Sequence, residues 1–107
     1  MATLWERIRA LVRAGKVRIS SHGYDELVED DIMVRDVIMG IDHGQLIEEY
    51  PEYPKGPCVL VLQRDKAARP IHAVWGIPKA RNSPAVLVTA YRPDQERWSE
   101  DFLRRKR

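Results

Sequence analysis

One cysteine, Cys58, in a chain of 107 residues leaves no intrachain disulfide possible and excludes the small secreted scaffolds that depend on such bridges. Set in the apolar run Cys58–Leu62, its thiol reads as buried and inert, and a cytoplasmic location fits. No apolar run approaches the ~20 residues of a membrane helix, so no membrane contact is expected. A secretory leader is not expected either, because Glu6, Arg7 and Arg9 follow Met1 almost at once. Three histidines, His22, His43 and His72, stand in no ligand spacing with one another or with Cys58, so neither a metal nor a cofactor is expected. A Gly-rich phosphate loop and a defensible Ser-His-Asp order are also lacking, as are repeats and linkers.

What the chain does have is apolar material for a core, at 44% hydrophobic residues, and 32% charged residues. That balance and length predict one domain spanning residues 1–107. The net charge of +2 hides a segregation along the chain. Residues 1–19 carry five Lys/Arg and one Asp/Glu, residues 20–52 one and ten, and residues 53–107 twelve and five; the nets are +4, −9 and +7. Such polarity orients a charged partner. A basic face suits RNA, an acidic face suits a basic protein, and opposite faces of two copies would suit a homodimer.

Thr3 and Glu6 form a capping-box pair, and Leu4, Ile8, Leu11 and Val12 follow at helical spacing until Gly15. After a short extended stretch, Lys16–Ser20, a second helix runs to about Asp30 with Tyr24, Leu27 and Val28 predicted to face inward. Val34, Val37, Ile38 and Ile41 mark a third, ended near Gly40 or Gly44. The period then becomes strand-like over 45–50, 57–64, 70–77 and 84–91, with connections short enough for hairpins. A last helix is predicted from about Pro93, carrying Trp98, Phe102 and Leu103. The fold class is therefore α+β: N-terminal helices, a four-stranded antiparallel meander and a C-terminal helix. Strands 57–64 and 84–91 are apolar on both faces, so both faces of the sheet should be covered at their middle.

Polar chemistry concentrates in the last two strands. His72 interrupts one apolar run near its start, and Thr89, Tyr91 and Arg92 crowd the end of the next. In antiparallel neighbours those ends lie side by side, gathering an imidazole, a hydroxyl, a phenol and a guanidinium. Metal-free RNA cleavage requires a base for the 2′-hydroxyl, an acid for the leaving oxygen and a cation over the phosphate. His72 or His22 suits the base, Tyr91 or the other histidine the acid, Arg92 the cation, and Thr89 a hydrogen-bond donor. The structural alternative has His22 capping its helix, His72 bonding a neighbouring strand, Tyr91 packing on Trp98, and Arg92 paired with Glu96 or Asp94. Trp75, Trp98 and Tyr53 read as core or interface residues rather than base-stacking platforms.

Ser21-His22, the segment Gly44–Pro51, Arg69–Val74 and Val88–Tyr91, in that order and spacing, resemble the domain-of-unknown-function family 4258 from about Arg18 to Trp98. That family looks related to the RelE-like and BrnT-like bacterial toxin folds, several of which cleave RNA without a metal. The resemblance implies a small toxin component that cleaves or binds RNA, with an antitoxin as partner, and points to His22, His72, Thr89 and Tyr91. One departure stands out: where the family pattern carries arginines, the second helix here reads Asp25–Ile32, with five carboxylates that would repel a phosphate. The alternative is a non-enzymatic protein-interaction module or homodimer on the same scaffold.

Overall fold

In the computed structural model, which describes residues 1–106, the first helix α1 (Leu4–Arg13) starts at the capping box read from the sequence. Thr3 Oγ1 accepts from the Glu6 N–H, and the Glu6 carboxylate accepts from the Thr3 N–H, both at 3.1 Å. There follow β1 (Val17–Ile19), α2 (Ser21–Glu29), α3 (Val34–Met39) and a 3-10 turn (Ile41–His43). The remaining strands are β2 (Gln45–Tyr50), β3 (Cys58–Arg64), β4 (Pro70–Gly76) and β5 (Ala85–Tyr91). None of the helices among the described residues is long and apolar enough to cross a membrane.

The α+β class holds, but the sheet is not four-stranded and purely antiparallel. Its order is β1-β5-β4-β3-β2, with β1 parallel to β5 and the other neighbours antiparallel. Three residues are too few to display an alternating period, and the partner of Val17 is Ala85, far along the chain. A local reading therefore left Val17–Ile19 outside the sheet.

All three helices cover one face of the sheet. Trp5, Ile8, Leu27, Val37 and Ile41 pack there against Val59, Val61, Ile71, Ala73 and Trp75, which alternate along β3 and β4 with the residues of the other face. On that other face Leu60 and Leu62 meet Trp98 and Phe102. The covering segment is not the predicted helix. Residues 93–106 form turns closed by a Trp98–Arg105 bridge. Ser99 and Asp101 explain the failure. The Ser99 hydroxyl donates to Asp101 Oδ1 at 2.5 Å, and the same oxygen accepts from the Leu103 N–H at 3.1 Å, an alternative to helical bonding.

A further correction concerns α2. Its inward face is Gly23 and Leu27, while Tyr24 and Val28 are 52% and 78% exposed. A Cβ on Gly23 would lie 2.9 Å from the Leu87 carbonyl oxygen, so glycine is what lets the helix backbone sit this close to β5. That contact takes the place that a larger inward side chain would fill.

One buried polar group ties the layers together. Gln63 donates from Nε2 to the Val37 carbonyl at 2.7 Å and accepts from Trp75 Nε1 at 2.8 Å, joining α3, β3 and β4. Replacing it by leucine strands an indole N–H and a carbonyl in the core. We expect Gln63→Leu to lose about 2–4 kcal/mol in urea unfolding. An unchanged midpoint would show that the amide network adds nothing.

Candidate functional site

Pairing across the sheet sets His72 opposite Tyr91 and Val74 opposite Thr89. Directly opposed residues share a face, and here it is the face away from the helices. To this extent the strands bring three of the predicted groups together. The imidazole, however, is 0% exposed beneath the C-terminal segment. Its Nε2 lies 2.8 Å from the Phe102 carbonyl oxygen, so Nε2 carries the proton and donates it. Trp98 meets the ring edge-on at 4.3 Å between centroids, and Tyr91 at 5.5 Å. Among the described residues His72 Nδ1 has no hydrogen-bond partner. Burial pushes the His72 pKa below its usual value, opposed by the weaker pull of the Phe102 carbonyl. Burial also pushes the Tyr91 phenol up, which keeps it protonated.

Arg92 leaves this group. Its Nη2 lies 2.9 Å from Asp65 Oδ2, its Nη1 3.3 Å from the Pro70 carbonyl oxygen, and its N–H donates to Asp30 Oδ2 at 2.7 Å. Asp65, not Asp94 or Glu96, is the partner, and its side chain is only 4% exposed. Burial raises the Asp65 pKa, but hydrogen bonds from the Arg69 N–H, the Arg92 side chain and the Ala67 N–H, with the Arg92 charge, outweigh it and hold the carboxyl low. The guanidinium is thus committed to the β3–β4 turn. Tyr91 and Arg92 also line a depression of about 740 Å³ where Asp94 and Glu96 mix with Arg97, Arg105 and Lys106.

His22 lies elsewhere. The Ser20 hydroxyl accepts from the Gly23 N–H at 2.9 Å and donates to the Val88 carbonyl at 2.8 Å, while the Ser20 N–H donates to the Leu87 carbonyl at 3.1 Å. This cap anchors the first turn of α2 to β5 and brings His22 to the rim of a second cleft, of about 430 Å³. Arg18, Ser20, Tyr53 and Lys55 line it too, with Cys58, Gly76, Val86 and Val88 among its apolar residues. Among the described residues no carboxylate lines it. Gly56, at φ +134, shapes the wall: a Cβ there would fall 2.1 Å from the Ile77 carbonyl oxygen. The exposed His22 ring has Nε2 3.6 Å from Glu26 Oε1. Burial pushes the Cys58 thiol up, so it is a poor nucleophile.

The five predicted residues therefore divide into a buried histidine (His72) with the half-buried Thr89 and Tyr91 on its face of the sheet, a paired cation (Arg92) and a solvent-facing histidine (His22). The sequence reading singles out neither Arg18 nor Lys55. Tyr53 is 50% exposed and so not a core residue, whereas Trp75 and Trp98 are buried. The one sequence signal for Arg18 was its place between inward Val17 and Ile19 on an extended stretch. Among the described residues no group of three or more His, Cys, Asp or Glu could hold a metal ion.

His72 gives a pH test. Its folded pKa lies below that of the unfolded chain, so the unfolded state binds the proton first as pH falls. Stability is full above about pH 6.5 and declines below it, down to the folded pKa. Thermal melting from pH 8 to 5 should show this loss, and His72→Gln should flatten it; an equally steep loss in the variant would assign it to other groups. Asp65→Asn should cost about 2–3 kcal/mol in urea unfolding, since it removes the charge that Arg92 faces. No measurable change would mean that solvent screens the pair completely.

The sequence profile of the family described as Domain of unknown function (DUF4258) matches residues 19–92, from the end of β1 to Arg92. No match is found among curated proteins, and none among solved structures. The matched stretch includes α2 with His22, the strands β2 to β5 and every predicted site residue, and leaves out α1 and the segment that covers His72. The chain belongs to the DUF4258 family.

Proposed function

We propose that the cleft between α2 and the open end of the sheet binds single-stranded RNA, and that the protein is a toxin component of RelE-like type. The observation that carries this reading is the lining of the cleft: Arg18, Lys55 and His22 without a carboxylate, beside the half-exposed ring of Tyr53. Two cations on different elements suit consecutive backbone phosphates, and an aromatic face stacks a base regardless of its identity. Asp25 lies on the outer side of α2, and neither it nor Glu29, about two turns along the helix from His22, lines the cleft, which lessens the repulsion that their number in the sequence suggests.

In this reading His22, rather than the buried His72, acts as the base. It takes the proton of the 2′-hydroxyl, the freed oxygen bonds to the adjacent phosphorus, and the bond to the 5′-oxygen breaks as that oxygen takes a proton from water. Arg18 and Lys55 stabilise the added charge on the phosphoryl oxygens. Glu26, at 3.6 Å, orients the imidazole. His72, Thr89, Tyr91 and Arg92 support the sheet that carries the cleft. A non-enzymatic interaction module is the second reading, favoured by the exposed apolar side chains of α2.

Labelled single-stranded RNA incubated with the protein in chelator tests the proposal. Cleavage should fall by about 10²-fold or more in His22→Ala. The Arg18→Ala/Lys55→Ala variant should bind more weakly and flatten the slope of log affinity against log salt by about 1.4. His72→Gln, if folded, should cleave near the wild-type rate. Binding without cleavage would remove the catalytic part, and wild-type protein that neither binds nor cuts RNA would remove the whole reading.

A further inference from the structure

We infer that the outer flank of α2 is a docking surface for a basic amphipathic segment of a second protein. At 100° per residue, the buried Gly23 and Leu27 point α2 into the fold, His22 and Glu26 fall on one flank, and Tyr24 and Val28 on the other. Tyr24 and Val28, one turn apart, are the exposed large hydrophobic residues of this helix. A β-branched valine at an exposed helix position lowers helix propensity and gains no burial, so the isolated fold does not account for it.

The charge around this flank says what would cover it. Asp25, three residues before Val28 on the helix, and Asp31, whose N–H bonds the Val28 carbonyl, are exposed beside it, and neither has an ion-pair partner among the described residues. No lysine or arginine occurs from Ser20 to Val34. A partner seated there must bring both apolar contact and positive charge. The helix and its flanks supply no cation of their own, so charge complementarity selects a basic segment as the occupant. A helix laid across the flank would insert an apolar side chain between Tyr24 and Val28 and set its lysines or arginines against Asp25 and Asp31. The site is on the opposite flank from His22, so the inference stands whether or not the cleft binds RNA.

The probe is a Leu/Lys amphipathic helical peptide titrated into isotope-labelled protein, with a Leu/Glu peptide of the same apolar pattern as control. Amide shifts should cluster from Ser21 to Asp31, and affinity should weaken with salt. Tyr24→Ser/Val28→Ser should weaken binding by about tenfold, and Asp25→Asn/Asp31→Asn by several-fold, with the circular dichroism of both variants unchanged. Equal binding of the Leu/Glu peptide, shifts centred on the acidic strand β2, or undiminished affinity in the Tyr24→Ser/Val28→Ser variant would overturn the assignment. So would a dimer of the free protein that this same variant dissolves, since the occupant would then be a second copy.

Discussion

The hydroxyl of Ser20 is the joint on which the candidate site depends. It caps α2 through the Gly23 N–H and fastens that cap to β5 through the Val88 carbonyl. Only because residue 23 has no side chain can the helix lie this near the strand. Beside the joint, β1 runs parallel to β5 and sets Arg18 opposite Val86. Loss of the Ser20 bonds would free the first turn of α2, and with it the ring of His22, from the sheet that carries Arg18. Cap, glycine and short parallel strand act as one positioning device.

The sheet's second face is divided. At one end Trp98 and Phe102 cover Leu60, Leu62 and His72, and the Phe102 carbonyl occupies the imidazole N–H. At the other end Val86 and the half-buried Val88 line the cleft with Arg18 and Lys55. A histidine in the first environment is held neutral by burial and adds to the packing of the sheet. A histidine in the second keeps its ring in solvent. The two histidines of the predicted site thus have separate physical roles, because a sheet has room on this face for both a covered and an open end.

Much of this fold was legible because local patterns carry it. Each strand from β2 to β5 begins and ends within one residue of the apolar run that announced it, and the capping box located α1. What failed was non-local or side-chain-driven. β1 gains its identity only from Ala85–Leu87, and the Ser99 and Asp101 side chains dissolved a C-terminal helix whose apolar spacing looked sound. At the site, the proximity of His72 and Tyr91 followed from antiparallel pairing, but the cover over them came from a segment expected to be helical. Arg92 lost its proposed role to Asp65, which lies in a turn whose side-chain bonding has no periodic signature. Arg18 comes from β1 and Tyr53 and Lys55 from the β2–β3 connection, two parts of the chain joined only by the folded sheet, so no spacing in the sequence revealed the three together.

The central claim is that the carboxylate-free cleft, not the covered histidine, is where a phosphate chain is held. An amide and side-chain shift map of the protein titrated with a short single-stranded RNA, in low salt and chelator, addresses it most directly. Perturbations concentrated on Arg18, His22, Tyr53 and Lys55, with His72 and Trp98 unmoved, are the predicted result. Shifts centred on Tyr91, Arg97 and Arg105, or none at saturating RNA, would contradict it.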